Sequence, residues 1–270
     1  MQKLKKFMPV PIRDINAYLA RIGYAGSRAP TAKNLRKLHR AHNLTVPFEN
    51  LDVHLGRLIV LDERKLFDKI VRRRRGGFCY ELNASFAALL RAMGFDVDML
   101  SARVYLDDKL GREFDHMVLL VRLKKQWFLD VGFGALFIEP LCFDDRQAQV
   151  QRGVAYRIRR YGPGAWRLMQ KRAGDPWQAV YWFDLKPRRL HDFDAMCRWH
   201  QTSRKSWHTQ NRICTRATQD GRVTLNGMKL VIRSRGKRTE RVLTSAKEYA
   251  GILKEHFGIN LRPGRKDRKW

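Results

Sequence analysis

A cysteine that follows a Gly-Gly pair and precedes a run with helical periodicity stands where a nucleophilic thiol needs to be. Cys79 occupies that place in residues 72–83, RRRRGGFCYELN. After it Leu82, Phe86, Leu89, Leu90 and Met93 recur at helical spacing, and Gly94 supplies a stop signal. The thiol therefore lies near a predicted helix N-terminus, where unpaired N–H groups and the positive dipole end favour thiolate over thiol. A lone cysteine is more often a buried structural residue, so chemistry requires partners.

Two partners are found downstream. His116 opens the apolar segment HMVLLV, and Asp130 closes QWFLDV after Lys124-Lys125. The two segments read as an antiparallel hairpin turning near Lys124, which brings His116 and Asp130 to within a register step or two of each other. A cysteine, a histidine and an aspartate in this order suit nucleophilic catalysis: the thiol attacks, the imidazole carries its proton, and the carboxylate orients the ring.

These residues resemble the arylamine N-acetyltransferase family. The matching pieces are Arg75-Gly76-Gly77-Phe78-Cys79-Tyr80-Glu81-Leu82-Asn83, His116 at the head of its strand, Asp130-Val131-Gly132-Phe133-Gly134, and upstream Val46-Pro47-Phe48-Glu49-Asn50-Leu51. With Tyr18, Gly23, Thr31, Leu35, Leu38, His39 and His42, the match covers residues 15–145. The resemblance implies a ping-pong acetyltransferase. Cys79 takes acetyl from acetyl-CoA as a thioester, and an arylamine, arylhydroxylamine or hydrazine then attacks it. His116 and Asp130 complete the triad, and backbone N–H groups including that of Cys79 hold the oxyanion.

The same resemblance implies an Arg75–Glu49 ion pair and a role for Asn50 in organising the loops around the thiol. It also implies an acceptor pocket lined by Phe48, Val104 and Phe133, with Gly132 and Gly134 admitting the pantetheine arm of CoA. Arg72, Arg73 and Arg74 read as solvated. Beyond residue 145 the match weakens: Thr202-Ser203-Arg204-Lys205-Ser206-Trp207-His208 has Arg where the family carries Pro, and Arg204, Lys205 and Ser206 are the CoA contacts this stretch offers. No long insertion follows the strands, so the chain looks more bacterial-like than vertebrate-like.

The elements that must position these residues follow from periodicity. Up to Gly94 the chain reads as helices near 12–22, 31–42 and 62–73 and a fourth from Cys79; strands follow at 97–105, 116–123, 126–131, 154–160, 166–171 and 177–185. Asn226-Gly227 between 223–225 and 229–232 marks a hairpin, and 245–257 a closing helix. The expected fold is α+β: a helical bundle over 1–94 carrying the nucleophile, an antiparallel β-barrel over 95–190 carrying His and Asp, and an α/β lid over 191–270 with a basic tail. Together they build a cysteine-protease-like, transglutaminase-like catalytic core.

Composition bounds the partners. The 270 residues carry 55 Lys+Arg against 26 Asp+Glu, a net charge of +29. That field attracts polyanions such as acetyl-CoA but exceeds what one co-substrate requires. The excess is spread along both halves, and no zinc-finger, RNP or basic-heptad pattern is present, so no specific nucleic-acid partner is expected. Cys79, Cys142, Cys197 and Cys214 are widely spaced, which argues against disulfides and zinc; His39 and His42 read as packing or surface residues on a helix. No metal and no tightly bound cofactor is expected, with acetyl-CoA as co-substrate. No apolar run is long enough for a membrane span, and the basic Lys3, Lys5 and Lys6 lead into Pro9 and Pro11 without a signal-peptide core. These features suggest a cytoplasmic monomer or weak homo-oligomer. Two other readings stay open: another Cys-His-Asp acyltransferase or transglutaminase-like hydrolase with a different acyl donor, and a non-catalytic basic binding protein.

Overall fold

The computed structural model describes residues 14–106 and 108–261. The N-terminal basic stretch, the start of the helix expected from position 12 and the basic tail from 262 lie outside them. The helices begin where short polar side chains cap free N–H groups. Asp14 accepts from Ala17 N at 2.8 Å ahead of α1 (Ile15–Arg21), and Thr31 accepts from Asn34 N ahead of α2 (Ala32–Thr45). After the short α3 (Leu51–His54), Asp62 caps α4 (Glu63–Phe67), which runs into a π-helical turn over Asp68–Arg72 where a plain helix was expected. The long α5 (Cys79–Ala92) is capped in reverse, with the Phe78 N–H donating to Glu81 Oε2 at 3.1 Å.

Among the described residues the strands are β1 (Phe48–Glu49), β2 (Asp96–Leu106), β3 (Lys109–Leu110), β4 (His116–Arg122), β5 (Gln126–Leu129), β6 (Leu141–Cys142), β7 (Gln149–Gln151), β8 (Val154–Arg160), β9 (Ala165–Arg172), β10 (Gln178–Asp184), β11 (Ile213–Thr218), β12 (Gly221–Asn226), β13 (Lys229–Ser234) and β14 (Lys237–Val242). The larger sheet runs β6-β5-β4-β2-β10-β9-β8-β7, antiparallel throughout, and curls into a nearly closed barrel. Side chains complete the closure that backbone pairing leaves open. Gln149 of β7 bonds both N and O of Cys142 in β6, at 2.8 and 2.9 Å, and Gln151 does the same for the 138–139 backbone. Nothing in the alternation pattern foretold β6 and β7, which are too short to show a period.

β2 and β4 are buried on both faces. One face packs inside the barrel, through Leu100, Val118 and Leu120 against Phe128, Tyr181 and Phe183; the other, through Met99, Met117 and Leu119, packs on the helices. This is why the MVLLV run is continuous and not alternating. The second sheet, β1-β11-β12-β13-β14, packs on α8 (Ala246–Phe257) through Leu225, Leu253 and Phe257, and its first strand comes from the N-terminal part of the chain. Between the sheets lie α6 (Asp194–Thr202) and α7 (Trp207–Gln210), neither visible in the sequence pattern. No helix among the described residues is long and apolar enough to cross a membrane.

Candidate active site

Three elements converge on the thiol. Cys79 is the first residue of α5, so its N–H lies in the first turn without an intrahelical acceptor. His116 opens β4, and the ladder pairs Leu119 with Leu129, which sets Asp130 opposite Val118, on the same face as His116. His116 Nε2 meets Asp130 Oδ2 at 2.8 Å, and all three residues are buried. The backbone N–H of Met117, next to His116, favours the charged form of the Cys79 thiol. With Nε2 held by the carboxylate, Nδ1 is the ring nitrogen left free for proton exchange.

Asn83, one turn beyond Cys79, fastens the helix to both strands. Its Nδ2 donates to Met117 O at 2.7 Å and to Asp130 Oδ1 at 3.0 Å, while its Oδ1 accepts from Val131 N. Asp130 also accepts from Gly132 N at 2.9 Å and from the Tyr181 hydroxyl at 3.2 Å, and its own N–H donates to His39 Nε2. Burial pushes the Asp130 carboxyl up, but His116, Asn83 and the Gly132 N–H outweigh it and hold it below the usual carboxylate range. The sequence reading gave none of these contacts: Tyr181 was not singled out, His39 read as a packing or surface residue, and Asn83 stood only as the end of the motif. Only Asn83 carried a signal, its i+4 spacing from Cys79 on one helix face.

The thiol itself behaves otherwise than a helix N-terminus alone predicts. Burial pushes Cys79 well above its ordinary value, and Asp115, Cys197 and Asp130 add to the rise; the Met117 N–H opposes it only in part. The expectation of a thiolate stabilised by the dipole is corrected accordingly, because desolvation of a lone anion costs more than half a unit of dipole charge supplies.

A second buried cluster braces the other side of α5. Arg75 bonds Glu49 Oε1 at 2.7 Å and Asp52 Oδ1 at 3.0 Å, and Lys69 bonds Asp52 Oδ2 at 2.8 Å and Glu81 Oε1 at 2.7 Å. Arg72, Arg73 and Arg74 are exposed. Asp52, Lys69 and Glu81 were not singled out in the sequence. With three carboxylates to two cations, burial raises the Glu81 carboxyl to about 7, against the pull of Lys69. The Gly-Gly pair serves this packing: a Cβ on Gly76 would collide with the Pro47 carbonyl, and one on Gly77 would lie 2.7 Å from Glu81 Cβ.

The remaining sequence candidates are placed as follows. Phe133 sets its ring 5.5 Å from His116 and 5.8 Å from Tyr181. Phe48 is buried in the helical core, and Val104 packs against the barrel core. Gly132 and Gly134 do permit close approach, but to the protein: a Cβ on Gly132 would lie 2.8 Å from Cys79 Cα, and one on Gly134 3.1 Å from Phe48 and Thr215. These contacts account for both glycines by packing. Asn50 holds the later segment, donating to Asn211 O at 2.6 Å and His208 O at 3.1 Å and accepting from Ile213 N. Ser206 is fully buried, caps α7 and bonds His200 Nδ1, so its hydroxyl is turned inward, away from any ligand in solvent; Arg204 and Lys205 beside it are exposed. Among the described residues no group of His, Cys, Asp and Glu side chains converges to hold a metal.

The sequence matches the N-acetyltransferase family model over residues 31–266. The arylamine N-acetyltransferase / N-hydroxyarylamine O-acetyltransferase of Salmonella typhimurium is 34% identical over 252 residues, 92% of this chain and 89% of that protein. A solved arylamine N-acetyltransferase structure from Salmonella typhimurium superposes with a TM-score of 0.87 at 32% identity, covering 94% of each chain. The Mycobacterium marinum arylamine N-acetyltransferase in complex with CoA superposes with a TM-score of 0.84 at 32% identity, covering 92% of this chain and 93% of that one.

Proposed function

The chain belongs to the arylamine N-acetyltransferase family, an acetyltransferase by that membership, and on that premise we propose that it moves acetyl from acetyl-CoA to arylamines, arylhydroxylamines or hydrazines through a Cys79 thioester. The observation that carries this reading is the 2.8 Å His116–Asp130 bond beside a thiol at the start of α5. The Cys79 proton passes to His116 as the sulfur attacks the thioester carbonyl. Backbone N–H groups, that of Cys79 among them, receive the developing oxyanion. The CoA sulfur leaves and takes its proton from the imidazolium, which Asp130 has steadied. The amine then attacks the acetyl-cysteine, His116 removes its extra proton, and the thiol is restored as the acetamide departs.

Arylamines suit this cycle because they are neutral nucleophiles near pH 7. Phe133, edge-on to His116, with Phe48 and Val104 form the flat acceptor slot in this proposal. Arg204 and Lys205, the exposed cations on the approach to α7, meet CoA phosphates, while Arg75, Glu49 and Asn50 keep the surrounding loops in place. Acetyl-CoA labelled in the acetyl group, followed by intact mass and peptide mapping, tests the reading. One acetyl on Cys79, discharged by added aniline or hydrazine, supports it; a folded protein that takes no label, or discharges only to water, sinks it.

A further inference from the structure

The positive charge has a structural focus that acetyl transfer leaves unused. β8 and β9 together contain six cations, Arg157, Arg159, Arg160, Arg167, Lys171 and Arg172, and no carboxylate. Their registers align residues on the outside of the barrel: Arg159 of β8 pairs with Arg167 of β9, Arg167 with Trp182 of β10, and Trp182 with Arg103 of β2. This row crosses four neighbouring strands, about 14 Å at the usual strand spacing. Next to it Arg157 faces Met169, and Met169 faces Ala179, which leaves a shallow apolar floor beside the charges.

Aromatic rings are interleaved with the cations. The Arg157 guanidinium lies 3.9 Å over Trp177, Arg167 lies 3.2 Å over Tyr161 and 5.2 Å over Tyr105, and Arg103 lies 5.9 Å over Trp182. Tyr161 is 52% exposed at the edge of this face. Among the described residues none of these cations forms an ion pair, and the buried Nε atoms of Arg157 and Arg167 have no hydrogen-bond partner. Asp184, at the end of β10, is taken by Arg188 at 2.8 Å.

We propose that this outer face, β8-β9-β10-β2, binds single-stranded nucleic acid without regard to sequence. A four-stranded antiparallel face that offers rings for bases and guanidinium groups for phosphates supplies both elements such binding uses. Ring faces accept any base, so sequence independence follows, and the unpaired cations set a salt-dependent affinity. The triad lies at the junction of α5 with β4 and β5, so occupation of the outer face leaves transfer chemistry intact.

Anisotropy of a fluorescein-labelled twelve-residue uridine oligomer, measured on the full chain over a salt series, tests the proposal. The triple variant Arg157→Gln, Arg159→Gln, Lys171→Gln is expected to weaken binding at least tenfold and to lower the slope of log K against log salt by about 2, from about 0.7 per lost phosphate contact. A comparator of equal charge change on the helices, Lys33→Gln, Lys37→Gln, Lys65→Gln, is expected to weaken it less than twofold. Tyr161→Ala, at an exposed position where folding is not at risk, is expected to lower affinity with the slope unchanged. All variants should keep their acetyl-transfer rate. Absence of oligomer binding by the unmodified chain, equal loss in the comparator, or preferential capture by vesicles containing phosphatidylserine each overturns the assignment.

Discussion

The first turns of α5 face two buried polar clusters built on opposite principles. On one side Glu49, Arg75, Asp52, Lys69 and Glu81 form a closed chain in which every charge meets an opposite one within 3.0 Å. On the other, Cys79, His116, Asp130, Asn83 and Tyr181 form a chain that is closed at the carboxylate and open at the thiol. Fixed charges in a low-dielectric interior hold loops in place but have no freedom to react. A chain with one uncommitted nitrogen and one buried thiol has a proton to move. In the proposed function the difference is that between a brace and a reaction centre, although both clusters are buried and share a helix.

The largest expected effect breaks the reactive side alone. Cys79→Ala should abolish transfer while changing unfolding free energy by no more than about 1 kcal/mol, since only a sulfur is removed; a folded variant that still acetylates ends the assignment. Asp130→Asn should lower kcat by about 10⁴-fold at most, as loss of the orienting carboxylate does in related triads, with iodoacetamide labelling of Cys79 slowed in parallel. If labelling is unaffected, the imidazole does not take the thiol proton.

Arg75→Met attacks the brace and should give the opposite pattern. Leaving Glu49 and Asp52 without their cation costs about 3–5 kcal/mol, measurable by urea unfolding, with the surviving folded fraction losing less than tenfold in kcat. A variant of normal stability would show that the cluster does not support the fold.

The smallest effect concerns pH. Burial lowers His39 to about 4 and His42 well below its ordinary value, so neither is protonated in the folded chain near pH 5, while an unfolded histidine is. The unfolded state then binds more protons, so this contribution to stability is complete above about pH 6.5 and shrinks as pH falls toward 4. Glu81, raised to about 7, takes up a proton in the folded state over the same window and offsets about one histidine. His42 has both ring nitrogens unpartnered and packs 5.0 Å from Phe86. His42→Phe should therefore remove about 2 kcal/mol of the destabilisation between pH 7 and pH 5, read from melting curves at both values. An unchanged slope would show that His42 is reached by water.

How much of this could be read in advance varied with length scale. α2, α5, α8, β2, β4 and β8 announced themselves because each is long enough for its period to repeat. β1, β6 and β7 did not, being two or three residues long; β1 is held by β11, far along the chain, and β6 and β7 are tied by the side chains of Gln149 and Gln151. Cys79, His116 and Asp130 were legible because local elements place them: a helix start, a strand start and the strand that turns back beside it. Gly132 was legible only as a point of close approach, since a glycine does not say what approaches; on its Cβ side it is the backbone of Cys79.

The sequence by itself determined the residue types, their order and the helix and hairpin that carry them, because these depend on contacts within a few positions. Tertiary structure decided the rest. It set Asn83 between two strands, ran Tyr181 to Asp130 across 51 positions, and gathered Asp52, Lys69 and Glu81 into one cluster. It also reversed the sign of the thiol's shift. A helix N-terminus is a local property, but desolvation depends on everything packed around the sulfur, and no stretch of sequence near Cys79 records that.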